Sequence, residues 1–171
     1  KKMKEEWSAK PLILFGLVFK ATALKYPKTF TLVSQLPGCT SAMFSVLQPG
    51  MYIPPHVGIY KGVYRCLFTL KVGQDAESWI KVNETKIIFK AGQPVFFDET
   101  AMHEVKNESY ETRVVLLLDF YRKLPFPLNI LNSIIFFLMQ KSPLVTGLIA
   151  KYKLLQNISI EKFNPTKPVL T

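Results

Sequence analysis

At 171 residues the chain is sized for a single domain with its own core, and its 49% apolar share is ordinary for a folded soluble protein. No segment reaches the roughly eighteen uninterrupted apolar residues of a membrane-spanning helix. The Leu12–Phe19 run ends in Lys20 with no small-residue cleavage site, so no signal peptide is expected in it. The formal net charge of +10 is unevenly spread: residues 1–28 carry seven Lys and two acids, and residues 122–171 carry seven Lys or Arg and one acid. Between them, residues 29–121 hold eight basic and nine acidic side chains. A neutral centre with two basic arms suits an anionic partner such as phospholipid headgroups, or is simply solvated charge. Nucleic acid is disfavoured: Arg65, Arg113 and Arg122 are the chain's only arginines, and no recognition helix or aromatic-basic motif stands out.

In chain order, residues 1–36 are mixed, a charged start followed by an apolar stretch and then PKTFTLVSQL. Pro27 with alternating Phe30 and Leu32 fits a turn into either a helix or a short strand, and periodicity does not decide. From Thr40 to Phe120 the pattern is β. Segments rich in Val, Ile, Phe, Tyr and Thr recur as SAMFSVL, QPGMYIPPH, VYRCLFTLKV, SWIKV, TKIIF, PVFFD, HEVKN and RVVLLLDFY, punctuated by glycines and prolines. Eight or so such strands without intervening helices predict a mainly β domain, a sandwich or jelly-roll barrel. The barrel is expected over about 40–121, flanked by residues 1–39 and by a helical, basic stretch over 122–171.

After Pro125 and Pro127 comes LNILNSIIFFLM, Leu128–Met139, interrupted by Asn129, Asn132 and Ser133. It is too short to span a bilayer; it either lies in a membrane interface or packs on the barrel as a core helix, and the core position is favoured. The NPTKPVL tail is expected to be poorly ordered. Cys39 and Cys66 have no metal-type spacing and read as two buried, reduced thiols.

The chain has two histidines, His56 and His103, 47 positions apart and both beside turns at strand edges. A lone histidine is more often a satisfied core or surface residue than a ligand. The company these two keep points elsewhere: HVG follows PGMYIPP, FFDETAMHEVKN surrounds His103, and Arg113 lies ten residues further on, in TRVVLLLD. An Arg entering an apolar strand calls for a buried anion; a rim salt bridge is the alternative.

Together with PKTFTLVSQLPG, MFSVLQPG, IPPHVGIYKGVYR, VNETK and LPFPLNILN, in this order and spacing from about Trp7 to Pro143, these motifs resemble the aspartyl/asparaginyl β-hydroxylase family. Those proteins are iron(II)- and 2-oxoglutarate-dependent oxygenases and include bacterial lipid A hydroxylases. The resemblance implies a double-stranded β-helix, that is a cupin-like jelly roll, with flanking helices at both ends. It implies His56 and His103 as iron ligands, with Arg113 and Ser45 holding the far carboxylate of 2-oxoglutarate and Arg65 steadying the end that chelates the metal. Neutral imidazole suits ferrous iron, and a guanidinium fork suits a carboxylate.

Two positions depart from the family pattern. Gly58 stands where an HxD or HxE motif has its carboxylate, as in the protein-hydroxylase branch, which leaves that position to water. Leu67 stands where a further cosubstrate-contacting His is usual, which removes a donor. Asp98 and Glu99 fit either a role orienting His103 or a turn cap, and Tyr60 and Lys61 fall in the loop that would face substrate. The implied activity is oxygen-dependent hydroxylation of an unactivated C–H, with 2-oxoglutarate decarboxylated to succinate. The substrate is either an acyl chain of a membrane lipid or an Asp or Asn side chain of a protein. A cupin-like binding domain that has lost catalysis is the alternative from another class. The expected location is cytoplasmic, with peripheral membrane contact through the basic flanks. Family members carry a further segment upstream, so Lys1 reads as a truncated start.

Overall fold

The computed structural model describes residues 7–156 and 160–162, so the expectation for the NPTKPVL tail lies outside the described residues. Two antiparallel sheets carry the fold. The larger contains β1 (Trp7–Leu14), β2 (Leu17–Phe19), β3 (Cys39–Leu47), β5 (Val63–Lys71), β8 (Pro94–Phe97), β10 (Arg113–Tyr121) and β11 (Ile160–Lys162). Its strand order is β11-β2-β1-β3-β10-β5-β8. The smaller contains β4 (Tyr52–His56), β6 (Ser78–Val82), β7 (Thr85–Ile88) and β9 (His103–Asn107), in the order β4-β9-β6-β7. This is the jelly-roll barrel that the family resemblance implies, one of the two architectures the strand spacing left open. β1 and β2 come from the expected flank 1–39 and extend the larger sheet, while the stretch from Pro27, left open between helix and strand, is helical.

The larger sheet is covered on both faces, which is why β10 reads as a nearly unbroken apolar run. Leu116 and Leu118 of β10 pack with Cys66, Ala42, Leu12, Phe30 and Val33 in an outer core under two short helices. These are α1 (Lys20–Lys25) and α2 (Pro27–Ser34), the latter beginning with Pro27 in its first turn, where a missing N–H costs nothing. The other face of the sheet meets the smaller one. Leu47, Leu67, Ile80, Val95, Phe97, Val105 and Val115 form this inner core, drawn from six strands of both sheets. Cys39 and Cys66 are free and buried, and burial raises their thiols to about 12 and about 11.

Strand alternation then decides what the barrel interior receives. Along β10 the residues Arg113, Val115, Leu117 and Asp119 face inward, and along β5 Arg65 and Leu67 do, all of them lining interior cavities. Asp119 and Arg65 are direct cross-strand partners.

Beyond the barrel lie α3 (Leu128–Gln140) and α4 (Pro143–Gln156). The favoured core position for LNILNSIIFFLM does not hold: the one buried residue of α3 is the polar Asn132. Leu128, Ile130, Leu131, Ile134, Phe137 and Leu138 are each 49–59% exposed. The helix is turned polar side in because Asn132 has specific partners to satisfy on the barrel. Its Nδ2 donates to the carbonyl oxygens of Gly62 at 3.1 Å and Arg122 at 3.4 Å, and its backbone oxygen accepts from the Tyr60 hydroxyl at 3.0 Å.

Candidate active site

A cavity of about 250 Å³ opens between the two sheets. His56, His103, Ser45, Arg65 and Arg113 all line it, and so does Leu67. The two histidines end paired strands: β4 and β9 run antiparallel with His56 opposite His103. Their rings lie 4.1 Å apart between centroids. Each ring is fixed in the same way. His56 Nδ1 lies 2.9 Å from the Pro54 carbonyl oxygen and His103 Nδ1 lies 2.8 Å from that of Ala101. A carbonyl oxygen only accepts, so Nδ1 carries the proton and donates, leaving both Nε2 lone pairs available. Burial holds His103 below the usual imidazole value and the neighbouring His56 and Arg65 add to this, so it is neutral at neutral pH, the form that binds a metal.

From these imidazoles the cavity leads to Arg113, whose residue is 1% exposed. Nη2 of Arg113 donates to Ser45 Oγ at 3.4 Å, and its guanidinium lies 5.0 Å from the centre of the Phe89 ring. Its Nε has no hydrogen-bond partner, and no acid pairs with it among the described residues. Burial without a counter-charge lowers its basicity, to about 10. A buried, uncompensated guanidinium is costly, and the cavity it faces is where an anionic group would relieve that cost. Ser45 Oγ also accepts from Trp7 Nε1 at 3.0 Å.

Arg65 is differently placed. Nε and Nη2 donate to the two carboxylate oxygens of Asp119 at 2.8 and 3.0 Å, and Nη2 also contacts Glu99. Most of its fork is thus engaged before any ligand arrives. Asp98 and Glu99 do not touch His103. Asp98 accepts from the backbone N–H and hydroxyl of Thr100, a turn cap, and from Arg122 at 2.7 Å. Glu99 is buried, which raises its carboxyl above the usual range in spite of Arg65. Among the described residues no third His, Cys, Asp or Glu joins the histidine pair in a cluster. Gly58 supplies no donor, and its N–H donates to the Glu99 carbonyl oxygen at 2.6 Å. The donor set that fits an ion is therefore two imidazoles with open positions around them, a set that suits ferrous iron more than a hard cation.

Sequence reasoning missed the closure of this cavity. Trp7 from β1 and Leu148 and Tyr152 from α4 complete its wall, and none carries a motif. It also missed the Arg65–Asp119–Glu99 cluster. Its one signal was an acid inside the apolar run LLLDFY, where burial demands a partner.

Over 127 residues the chain is 34% identical to an ornithine lipid ester-linked acyl 2-hydroxylase of Rhizobium tropici, a match covering 74% of this chain and 45% of that protein. Over 121 residues it is 27% identical to an aspartyl/asparaginyl beta-hydroxylase of Homo sapiens, covering 68% of this chain and 16% of that protein. The chain thus spans less than half the length of these curated relatives. Among solved structures, a Cupin_2 domain of an XRE family transcriptional regulator from Enterobacter cloacae matches with a TM-score of 0.47 at 15% identity, covering 69% of this chain and 99% of that one. A predicted oxalate decarboxylase from Thermotoga maritima matches at 0.42 and 14%, covering 70% and 97%. The family model for aspartyl/asparaginyl beta-hydroxylase matches residues 1–123, from before the first strand to just past β10, and the chain belongs to that family.

Proposed function

We propose that this chain is an iron(II)- and 2-oxoglutarate-dependent hydroxylase acting on an acyl chain of a membrane lipid. The observation that carries the reading is Arg113: a fully buried cation with no counter-charge among the described residues, sharing one cavity with two histidines whose Nε2 atoms have no partner among those residues. A small dianion that reaches from the histidine pair to Arg113 satisfies both ends at once, and 2-oxoglutarate has that form. His56 and His103 would hold the metal, while Arg113 and Ser45 bind the far carboxylate through charge-assisted hydrogen bonds. Bound iron supplies the activation of oxygen that an unactivated C–H requires. The residues bind, orient and exclude water: Leu67, Ile80, Val105 and Val115 keep the cavity apolar between its polar ends.

At about 250 Å³ the cavity falls below the roughly 300–1,000 Å³ of sites for drug-sized ligands. It has room for the cosubstrate, and an acyl chain then approaches from outside, over the exposed side of His56. The lipid reading draws on the Rhizobium tropici relative, an ornithine lipid ester-linked acyl 2-hydroxylase. Gly58 favours a second reading, since the protein-hydroxylase branch also lacks a carboxylate there, and it makes an Asp or Asn side chain the competing substrate.

The test is anaerobic reconstitution with iron(II), followed by succinate formation from 2-oxoglutarate in air, with ornithine- or phospholipid-containing vesicles or with Asp/Asn peptides as substrate. The expected result is iron-dependent succinate that increases with lipid and disappears in His103→Ala and Arg113→Met. Stimulation by peptide alone moves the substrate to protein. Absence of iron and 2-oxoglutarate binding overturns the enzyme and leaves a cupin-like binding domain.

A further inference from the structure

We infer that the outward face of α3 and α4 is a docking surface for an anionic phospholipid bilayer, lying against the mouth of the cavity. Six large apolar side chains of α3 are half exposed, and Leu144 and Leu148 of α4 are 59% and 38% exposed. Soluble monomers rarely leave so many contiguous apolar groups in water. Most of the polar groups of α3 are meanwhile engaged elsewhere. Asn132 points into the barrel, Ser133 Oγ donates to the Asn129 carbonyl oxygen at 2.9 Å, and Asn129 Oδ1 accepts from the Ile130 N–H at 2.9 Å. Gln140 Nε2 donates to the Phe15 carbonyl oxygen at 2.7 Å. The face left to the outside is mostly apolar, and the exposed amide of Asn129 sits in the first turn of α3, where it can meet headgroups rather than acyl chains.

The length of α3 and the bend that follows it favour lying flat over spanning. The 13 residues of α3 reach about 20 Å at about 1.5 Å per residue, short of a hydrocarbon core about 30 Å thick. α3 and the first part of α4 together have the length and apolarity of a span, but they meet at a 52° bend, and no single described helix is long and apolar enough to cross a membrane. The pair fits the interface plane.

Charge selects the occupant. Residues 120–156 contain five Lys or Arg and no acid. Lys123, Lys141 and Lys151 are exposed and form no ion pair among the described residues. A second copy of the chain would bring these like charges together, whereas anionic headgroups match them. Lys61 edges a groove of about 380 Å³ between the loop after His56 and α3, lined by Leu124, Leu128 and Leu131, which gives a headgroup and the start of an acyl chain a place beside the barrel. Leu148 belongs to both surfaces, since it is partly exposed and also walls the histidine cavity. That an acyl chain then reaches His56 rests on the hydroxylase reading; the docking does not.

The experiment is co-sedimentation of the full chain with sucrose-loaded vesicles of phosphatidylcholine alone or mixed with phosphatidylglycerol. Pelleting is expected only with the anionic mixture and is expected to fall with salt. Lys141→Ala and Lys151→Ala each weaken it about fivefold, and Ile134→Asp with Leu138→Asp abolishes it. Circular dichroism and 2-oxoglutarate binding without vesicles stay unchanged in these variants, since none of the four side chains faces the cavity. Failure of the folded chain to pellet overturns the docking, as does pelleting indifferent to the α3 substitutions. A dimer in solution that Ile134→Asp dissociates assigns the face to a second copy and also overturns it. A chain that docks but binds no 2-oxoglutarate keeps this inference and removes the hydroxylase reading instead.

Discussion

The side chain of Glu99 fills the space into which any side chain at position 58 would grow. A Cβ on Gly58 would stand 2.5 Å from Glu99 Cδ and 2.6 Å from its Cγ, inside the contact distance of real atoms. The carboxylate that an HxD site carries at position 58 is thus replaced by one from another loop, and that one is turned toward Arg65.

Gly58→Asp therefore does not rebuild a three-ligand site by itself. Overpacking of this kind costs about 1–3 kcal/mol, so thermal unfolding of the variant should occur several degrees below that of the parent. Gly58→Asp with Glu99→Ala relieves the clash and is expected to recover most of the loss. The double variant should then bind iron(II) more tightly than the parent in an anaerobic titration. Equal melting of parent and Gly58→Asp would contradict the geometry.

Arg113 yields a prediction in which stability and binding move oppositely. Replacing an unpaired buried cation by an apolar side chain of similar length is often neutral or stabilising by roughly 1–4 kcal/mol. Arg113→Met is expected to melt at or above the parent temperature without ligand. It should also bind 2-oxoglutarate about a hundredfold more weakly, the loss of a charge-assisted pair worth roughly 3 kcal/mol. Calorimetry and thermal melts with and without 2-oxoglutarate read both. A large destabilisation of the free protein would show that Arg113 is a structural residue.

How much of this was legible in the sequence follows from the range over which each interaction acts. Strands announce themselves locally, through alternation and turn residues, so the barrel could be read between Thr40 and Phe120. The motifs that carry the family resemblance named His56, His103, Ser45, Arg65 and Arg113, and the fold brings all five to one cavity. What Arg65 does there was not legible, because its partner Asp119 lies 54 residues away and meets it only across the β5–β10 pairing. The orientation of α3 was misread for a related reason. An apolar helix is ordinarily buried by its apolar side, yet here the hydrogen-bonding requirements of Gly62, Tyr60 and Arg122 turn Asn132 inward.

His103 gives a pH dependence with a definite sign. Burial depresses its folded value, so below the unfolded value of about 6.5 the unfolded chain takes up a proton that the folded chain does not. Stability present above about pH 6.5 is lost as the pH falls from there toward the folded value. Denaturant melts of the metal-free protein from about pH 8 to about pH 5 should show this decline, and His103→Gln should flatten it. Added iron(II) should protect the parent at the upper end of the range and progressively less below about pH 6.5, because the metal and the proton compete for the same nitrogen. A parent whose decline with acid is matched by His103→Gln would place the titrating group elsewhere.

Asn132 ties the outward-facing helix to the loop that follows His56, and this link can be cut without touching the cavity. Its side chain bonds Gly62 and Arg122 and accepts from Tyr60, and Gly62 has no room for a side chain because a Cβ there would meet both Asn132 and Tyr60. Asn132→Leu keeps the branched shape but removes a donor from the Gly62 and Arg122 carbonyl oxygens and one of the two acceptors of the Tyr60 hydroxyl, which keeps the Asn132 backbone oxygen, at a net cost of about 1–3 kcal/mol. The expected result is a fall of several degrees in melting temperature with amide exchange faster in residues 57–62 and in α3, but not in β9 or β10. Iron and 2-oxoglutarate binding should change little, since both histidine Nδ1 bonds and the Arg113–Ser45 pair lie on the barrel itself. Turnover on vesicles should fall more than turnover on a soluble short-chain substrate, because only the former needs α3 held against the loop beside His56. Equal losses on the two substrates would mean that Asn132 acts on the barrel as a whole.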